Sequence, residues 1–264
     1  MYRTHVFECS TGDSIKVLIF DLYNVASPLK FRELLKTMVM KFDDVILGRR
    51  SIRGYKSKPV SKKLLKEILS LAIRSPSSMN TQPWNFYVIS GEPLDKIREG
   101  NTERNLAGVP HSREFRIGEP FQGEHRERQI GVAKQLFSAM KIAREDKDAR
   151  QDWVLRGFRQ FDAPVCIIIT YDKILSDSDD TSFDCGAVTT ALVNAAWSRG
   201  LGAVINSQGI MQSPVVRECA GIAADQVIMK AIALGWPDET FPANRVVSER
   251  KTVDEATTFV GFDG

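Results

Sequence analysis

The reading of this chain turns on RRSIR (Arg49–Arg53), followed about 25 residues later by SPSSMNTQPW (Ser75–Trp84). In RRSIR, three guanidiniums and one hydroxyl fall within five residues. That set can clamp a phosphate through charge-assisted, often bidentate hydrogen bonds, although a solvated basic turn has the same composition. In the second stretch Pro76 fixes one backbone dihedral, hydroxyl and amide side chains follow, and Pro83-Trp84 closes the run. It can present several neutral donors to a polar ligand, or serve as an ordinary helix-to-strand loop.

The surrounding pattern supplies the framework. Phe42, Val45, Ile46 and Leu47 form a short apolar helix face that Gly48 ends just before RRSIR. Ser61 can cap a helix on which Leu64, Leu65, Ile68, Leu69, Leu71 and Ala72 recur at three- and four-residue spacing, ending near Ser75-Pro76. Phe86–Ile89 reads as a strand. The charge-dense stretch Glu92–Arg159 then carries a long amphipathic helix through Val132, Leu136, Met140 and Ile142. PVCIIIT (Pro164–Thr170) and Val227–Leu234 are strand candidates, and Asp184 opens a small-residue helix closed by Gly200 and Gly202. Pro214 after Ser213 starts one more helix. Strands separated by long helices indicate a mixed α/β layer architecture.

Composition narrows the function classes. Among 264 residues, 36 Lys+Arg stand against 33 Asp+Glu, a net charge of +3. Acidic residues are interleaved throughout the basic stretches, which argues against a nucleic-acid-binding face. Cys9, Cys166, Cys185 and Cys219 show no CxxC spacing, and His5, His111 and His125 are scattered, so no zinc site, disulfide scaffold or Ser/His/Asp triad is expected. The thiols fit a reducing compartment, and no apolar run reaches the ~18 residues of a membrane span, so a cytoplasmic protein is expected. Cys166 reads as a small buried hydrophobe, Trp153, Phe158 and Phe161 as helix packing, and His111 and His125 as surface residues.

Residues 1–40 differ in character from the rest. Val17–Phe20 is a short apolar run ending at Asp21, similar to the nucleophile strand of haloacid-dehalogenase-like phosphatases. The second acid those enzymes need is replaced here by Tyr23. An extension, or translation from an upstream start with Met38 and Met40 near the true beginning, accounts for the segment more simply. Residues 41–264 are expected to form the functional domain.

From Lys41 to Glu255 the chain resembles the FMN-dependent nitroreductase family. The resemblance rests on RRSIR, PSSMNTQPW, the Asp184-Cys185-Gly186 helix start and the tail GWP…SER (Gly235–Arg250), in that order and spacing. It implies an α+β fold with a central, mostly antiparallel sheet wrapped by helices, in an intertwined homodimer with one FMN in each of two interfacial sites. By the same resemblance Arg49 and Ser51 contact phosphate and ribityl groups, Arg50 lines the cofactor, and Arg53 lies by the flavin N1/O2 edge. Pro76, Ser77, Ser78, Asn80 and Gln82 reach the FMN of the partner. Ser207, Gln208 and Gly209 in VINSQGI offer the backbone donor near flavin N5, and Arg250 meets the phosphate. Ser248 stands where a second base is often found, so either Arg245 compensates or the phosphate has one cation fewer. Asn101–Arg128, the least patterned region, is the candidate substrate-selecting flap. The implied activity is ping-pong hydride transfer from NADH or NADPH to a nitroaromatic, quinone or similar small electron-poor acceptor, with no metal and no protein nucleophile. Enone reduction, reductive dehalogenation and flavin binding without turnover are the alternatives.

Overall fold

The β-branched runs form the centre of a four-stranded sheet. In chain order, the structure, a computed structural model, contains helix α1 (Phe42–Gly48), helix α2 (Lys62–Ala72), strand β1 (Trp84–Ile89), and three helices, α3 (Glu92–Leu106), α4 (Gly123–Ala139) and α5 (Lys147–Phe158). Strand β2 (Val165–Asp172), the long helix α6 (Asp179–Trp197), strand β3 (Gly202–Asn206), helix α7 (Ser213–Ala220), strand β4 (Gln226–Gly235) and a short helix α8 (Val253–Ala256) complete it. The structure describes residues 40–115 and 118–262; the stretch around Asp21 lies outside them. By packing, the chain divides between Met40 and Lys41, and everything below concerns the second unit.

The strand order is β1-β2-β4-β3, and all three pairings are antiparallel. Central strand β2 is buried on both faces, which is why its sequence is a continuous apolar run rather than an alternation. Its side chains still divide by parity. Val165, Ile167, Ile169 and Tyr171 pack with Leu65, Ile68 and Ala72 of α2 and with Cys185, Val188 and Leu192 of α6. Cys166 and Ile168 pack on the other face with Leu94 and Ile97 of α3 and Val216 of α7. The fold is therefore α+β: one antiparallel sheet with helices on both faces.

Local chemistry sets the helix limits. The Ser61 side chain accepts from the Leu64 N–H (3.2 Å) and caps α2. Helix α6 starts at Asp179, five residues before the expected opening at Asp184, with Asp179 and Asp180 in its first turn, where carboxylates favour the helix dipole. Asp184 thus lies inside the helix, buried, and Gly200 adopts φ +76 just past the helix end. Gly202 begins β3 rather than closing the helix, so the Val204–Asn206 part of VINSQGI is strand and not loop. The single long helix expected through Ile142 ends at Ala139, because Lys141 turns left-handed at φ 55. In Asn101–Arg128, both ends are helical, and among the described residues only 107–115 and 118–122 are irregular.

Candidate functional site

RRSIR leaves α1 as extended backbone laid along the free edge of β3. Ser51 bridges Ala203 in parallel, and the Ile52 N–H donates to Ala203 O (3.1 Å). Ile52 is buried against Gly202, where a Cβ would sit 2.5 Å from Ile52 Cγ1, so only glycine admits this approach. The alternation then points Arg49, Ser51 and Arg53 away from the sheet. They line one cleft together with Arg50, Val132 of α4, Val246, Val247, Ser248 and Arg250. The cleft encloses about 70 Å³, far less than the ~300 Å³ at which whole-ligand pockets begin. One chain therefore offers room for a phosphate-sized group and leaves any larger ligand to be enclosed from outside.

Four guanidiniums, those of Arg49, Arg50, Arg53 and Arg250, line that cleft, and among the described residues none pairs with a carboxylate. Burial, and then the neighbouring Arg250, lower the Arg49 pKa from its ordinary value. Burial also lowers that of Arg53, opposed by Tyr55. Like charges held in a partly desolvated cleft fit an anion, and a phosphate accepts donors from all of them. Arg250 donates within the tail to Ser248 Oγ (2.8 Å) and to backbone oxygens. Ser248 lines the cleft, whereas Arg245 is exposed and not among the lining residues.

The arginines are set by a residue that no motif marked. Asn244, buried in the tail, accepts through Oδ1 from the N–H groups of Arg53 (2.7 Å) and Gly54 (3.1 Å). Its Nδ2 donates to Gly54 O (2.8 Å) and Asp238 O (2.9 Å), and its own carbonyl accepts from Arg50 Nε (2.8 Å). One carboxamide thereby joins the tail that carries Arg250 to the segment that carries Arg49–Arg53. Arg156 adds a bond to Arg53 O (3.2 Å) while pairing with Asp162 (3.1 Å). A lone Asn in a Pro-containing tail gives no sequence signal for this role.

Pro76–Gln82 does not reach that cleft within one chain. It is a small exposed loop with Met79, Asn80 and Gln82 at φ 49, 60 and 47. Its bonds include backbone turns from Asn80 N–H to Ser77 O (3.1 Å) and Thr81 N–H to Ser78 O (2.9 Å), Gln82 N–H to Ser77 Oγ (3.0 Å), and Ser78 N–H to the buried carboxylate of Asp184 (3.0 Å). Asp184 therefore belongs to the loop's support, which accounts for its place in the sequence pattern better than helix capping does.

The third group, Ser207–Gly209, follows β3 and rests on buried amides. Gln208 N–H donates to Asn206 Oδ1 (3.1 Å), Gln160 Nε2 and Asn101 Nδ2 both donate to Gly209 O (2.9 and 3.1 Å), and Lys230 Nζ donates to Ser207 Oγ (2.7 Å). Burial and the nearby Arg113 lower the Lys230 pKa. Gln160 belongs to a run of three left-handed non-glycine residues, Gln160, Phe161 and Asp162 (φ 58, 53 and 57). Each such residue costs on the order of 1 kcal/mol, so packing must hold the run in place. Among the described residues no group of His, Cys, Asp and Glu could hold a metal ion, and no helix is long and apolar enough to cross a membrane. Cys166 is buried with its thiol pKa pushed up to about 12 by desolvation, and His111 and His125 are exposed.

Comparison with known proteins returns a consistent picture. The model of the nitroreductase family matches residues 46–236. The nitrobenzene nitroreductase of Ectopseudomonas oleovorans is 37% identical over 222 residues, spanning 83% of this chain and 96% of its own. The chloronitrobenzene nitroreductase of Comamonas testosteroni is 35% identical over 222 residues, spanning 83% and 96%. Among solved structures, the FMN and NADPH-dependent nitroreductase NfnB from Sphigopyxis sp. strain HMH superposes with a TM-score of 0.80 at 28% identity, over 84% of this chain and 100% of that one.

Proposed function

This chain belongs to the nitroreductase family, and from that membership we propose an FMN-dependent oxidoreductase that uses NADH or NADPH to reduce nitroaromatic, quinone or similar electron-poor acceptors. The observation that carries the reading is the cleft of four guanidiniums without a carboxylate, sized for a phosphate. The reductases of nitrobenzene and chloronitrobenzene among its relatives support nitroaromatics as the acceptor class. FMN, when bound, supplies the N5 atom through which hydride is taken up and given back.

The chain's own residues bind and orient. Arg49, Ser51 and Arg250 hold the phosphate, with Arg50 and Ser248 completing its surround. Arg53, a partly desolvated cation, stabilises negative charge where the reduced ring carries it. Ser207–Gly209 would supply a backbone donor to the flavin. No side chain is required as a nucleophile, in keeping with the high pKa of the buried Cys166 and the exposed positions of His111 and His125.

The working unit is a homodimer in the cytoplasm. Exposed apolar side chains on α1 (Phe42, Leu47), on α6 (Phe183) and in the tail (Phe259, Val260) offer a face for a second copy. The exposed Pro76–Gln82 loop, whose residues do not line the cleft of their own chain, suits delivery of Pro76, Ser77, Ser78, Asn80 and Gln82 to the cleft of that copy. Purified protein should be yellow, be bleached by NADH or NADPH under anaerobic conditions, and regain its colour on addition of nitrobenzene. A colourless protein that takes up no FMN would refute the proposal.

A further inference from the structure

We infer that Gln160, acting with Asn206, is a positioning residue that aims the Gly209 N–H at the flavin; the inference rests on the flavin reading above. Three residues could supply the backbone donor, and the hydrogen bonds separate two of them. The Gln208 N–H is already given to Asn206 Oδ1, while those of Ile210 and Met211 go to Ser207 O and Gln208 O. The Gly209 N–H makes no hydrogen bond within the described residues, although Gly209 is buried. A backbone donor without a partner in a buried residue is uncommon and stays free to bond a ligand.

The peptide planes on both sides of that N–H are fixed. On one side, Asn206 Oδ1 holds the Gln208 N–H. On the other, Gly209 O receives Gln160 Nε2 and Asn101 Nδ2. Gln160 Oε1 in turn accepts from Asn206 Nδ2 (2.9 Å), which also donates to Gly157 O (2.7 Å), so Gln160 and Asn206 form one continuous brace. The left-handed run at Gln160–Asp162 places the Gln160 carboxamide under the loop, and Gly209 lacks a Cβ because one would sit 1.9 Å from Gln160 Nε2. Three carboxamides, of Asn101, Gln160 and Asn206, and a strained turn, none of them among the residues lining the cationic cleft, serve to fix one peptide unit.

The test uses Gln160→Met, which keeps volume and removes the donor, and Asn206→Ser as a second variant. Both should bind FMN within about threefold of the parent, because the phosphate contacts are untouched. In flavin-loaded variants the rate constant of flavin reduction at saturating NADH or NADPH should fall about tenfold or more, since small misplacements at a reacting centre carry large rate costs. In flavin-free variants, amide exchange over 207–211 should quicken about tenfold while 49–54 stays unchanged. Reduction and exchange both within twofold of the parent would overturn the inference, as would losses spread evenly over FMN affinity, reduction and exchange at 49–54. If either variant fails to load flavin, the other decides by the same readouts. A parent protein that binds no FMN would instead refute the function proposed above, while the exchange comparison would still judge the brace.

Discussion

The two groups that the proposed flavin site would join are built on opposite principles. At one end Arg49, Arg50, Arg53 and Arg250 line an open cleft with charge that no carboxylate offsets. At the other, the charge-neutral carboxamides of Asn101, Gln160 and Asn206 fix the backbone of Ser207–Gly209 from within the core. The first end can grip an anion strongly and over some distance; the second can hold one hydrogen-bond direction with little freedom. Affinity and alignment are thereby assigned to different residues, and each can be disturbed alone.

The largest effect expected is at Asn244, where the charged end also rests on a buried carboxamide. Asn244→Ala removes four side-chain hydrogen bonds, each worth roughly 1 kcal/mol, so the flavin-free protein should lose about 4 kcal/mol, read as a drop in melting temperature of roughly 8–16 °C. An unchanged melting temperature would mean that the arginine segment is held by other contacts. Arg250→Ala comes next. Its side chain is exposed, so the stability of the flavin-free protein should stay within about 0.5 kcal/mol of the parent, while FMN binding in a fluorescence titration weakens about tenfold or more.

Salt sharpens the comparison further. Raising NaCl from about 50 to 500 mM should weaken FMN binding several-fold by screening the guanidiniums, and should leave the reduction rate of fully loaded protein almost unchanged. The smallest effect concerns the thiols. Burial raises the pKa of Cys166 and Cys185 to about 12, so both remain protonated thiols at pH 8. An alkylating reagent followed by peptide mass mapping should leave both unmodified in the folded protein and, of the three cysteines among the described residues, label the half-exposed Cys219 first, slowly because burial and Glu218 raise its pKa too.

Much of the framework was legible because its physics is local. The Ser61 cap and the spacing of Leu65, Ile68 and Ala72 define α2, and the unbroken run in PVCIIIT announces a strand covered on both faces. The cationic cleft was equally legible, since guanidinium clustering is written in residue types. What the sequence concealed depends on backbone conformation or on distant partners. Strand β3 carries no strand signal because it is short and its pairing with β4 lies more than twenty residues away. The start of α6 was misplaced because Asp184 resembles a cap but spends its carboxylate on Ser78, 106 residues earlier in the chain. The roles of Asn244 and Gln160 had no local signal: one bridges 190 residues, and the other sits in a left-handed turn that its neighbours do not encode.

The central claim is that the RRSIR cleft is the phosphate site of a bound flavin, and the most direct measurement compares FMN with riboflavin, which differs only by that phosphate. Titrated into flavin-free protein, FMN should bind about a hundredfold more tightly or better, and Arg49→Ala should erase most of that preference while changing riboflavin binding little. Equal affinity for the two flavins, or a preference that survives Arg49→Ala intact, would contradict the account.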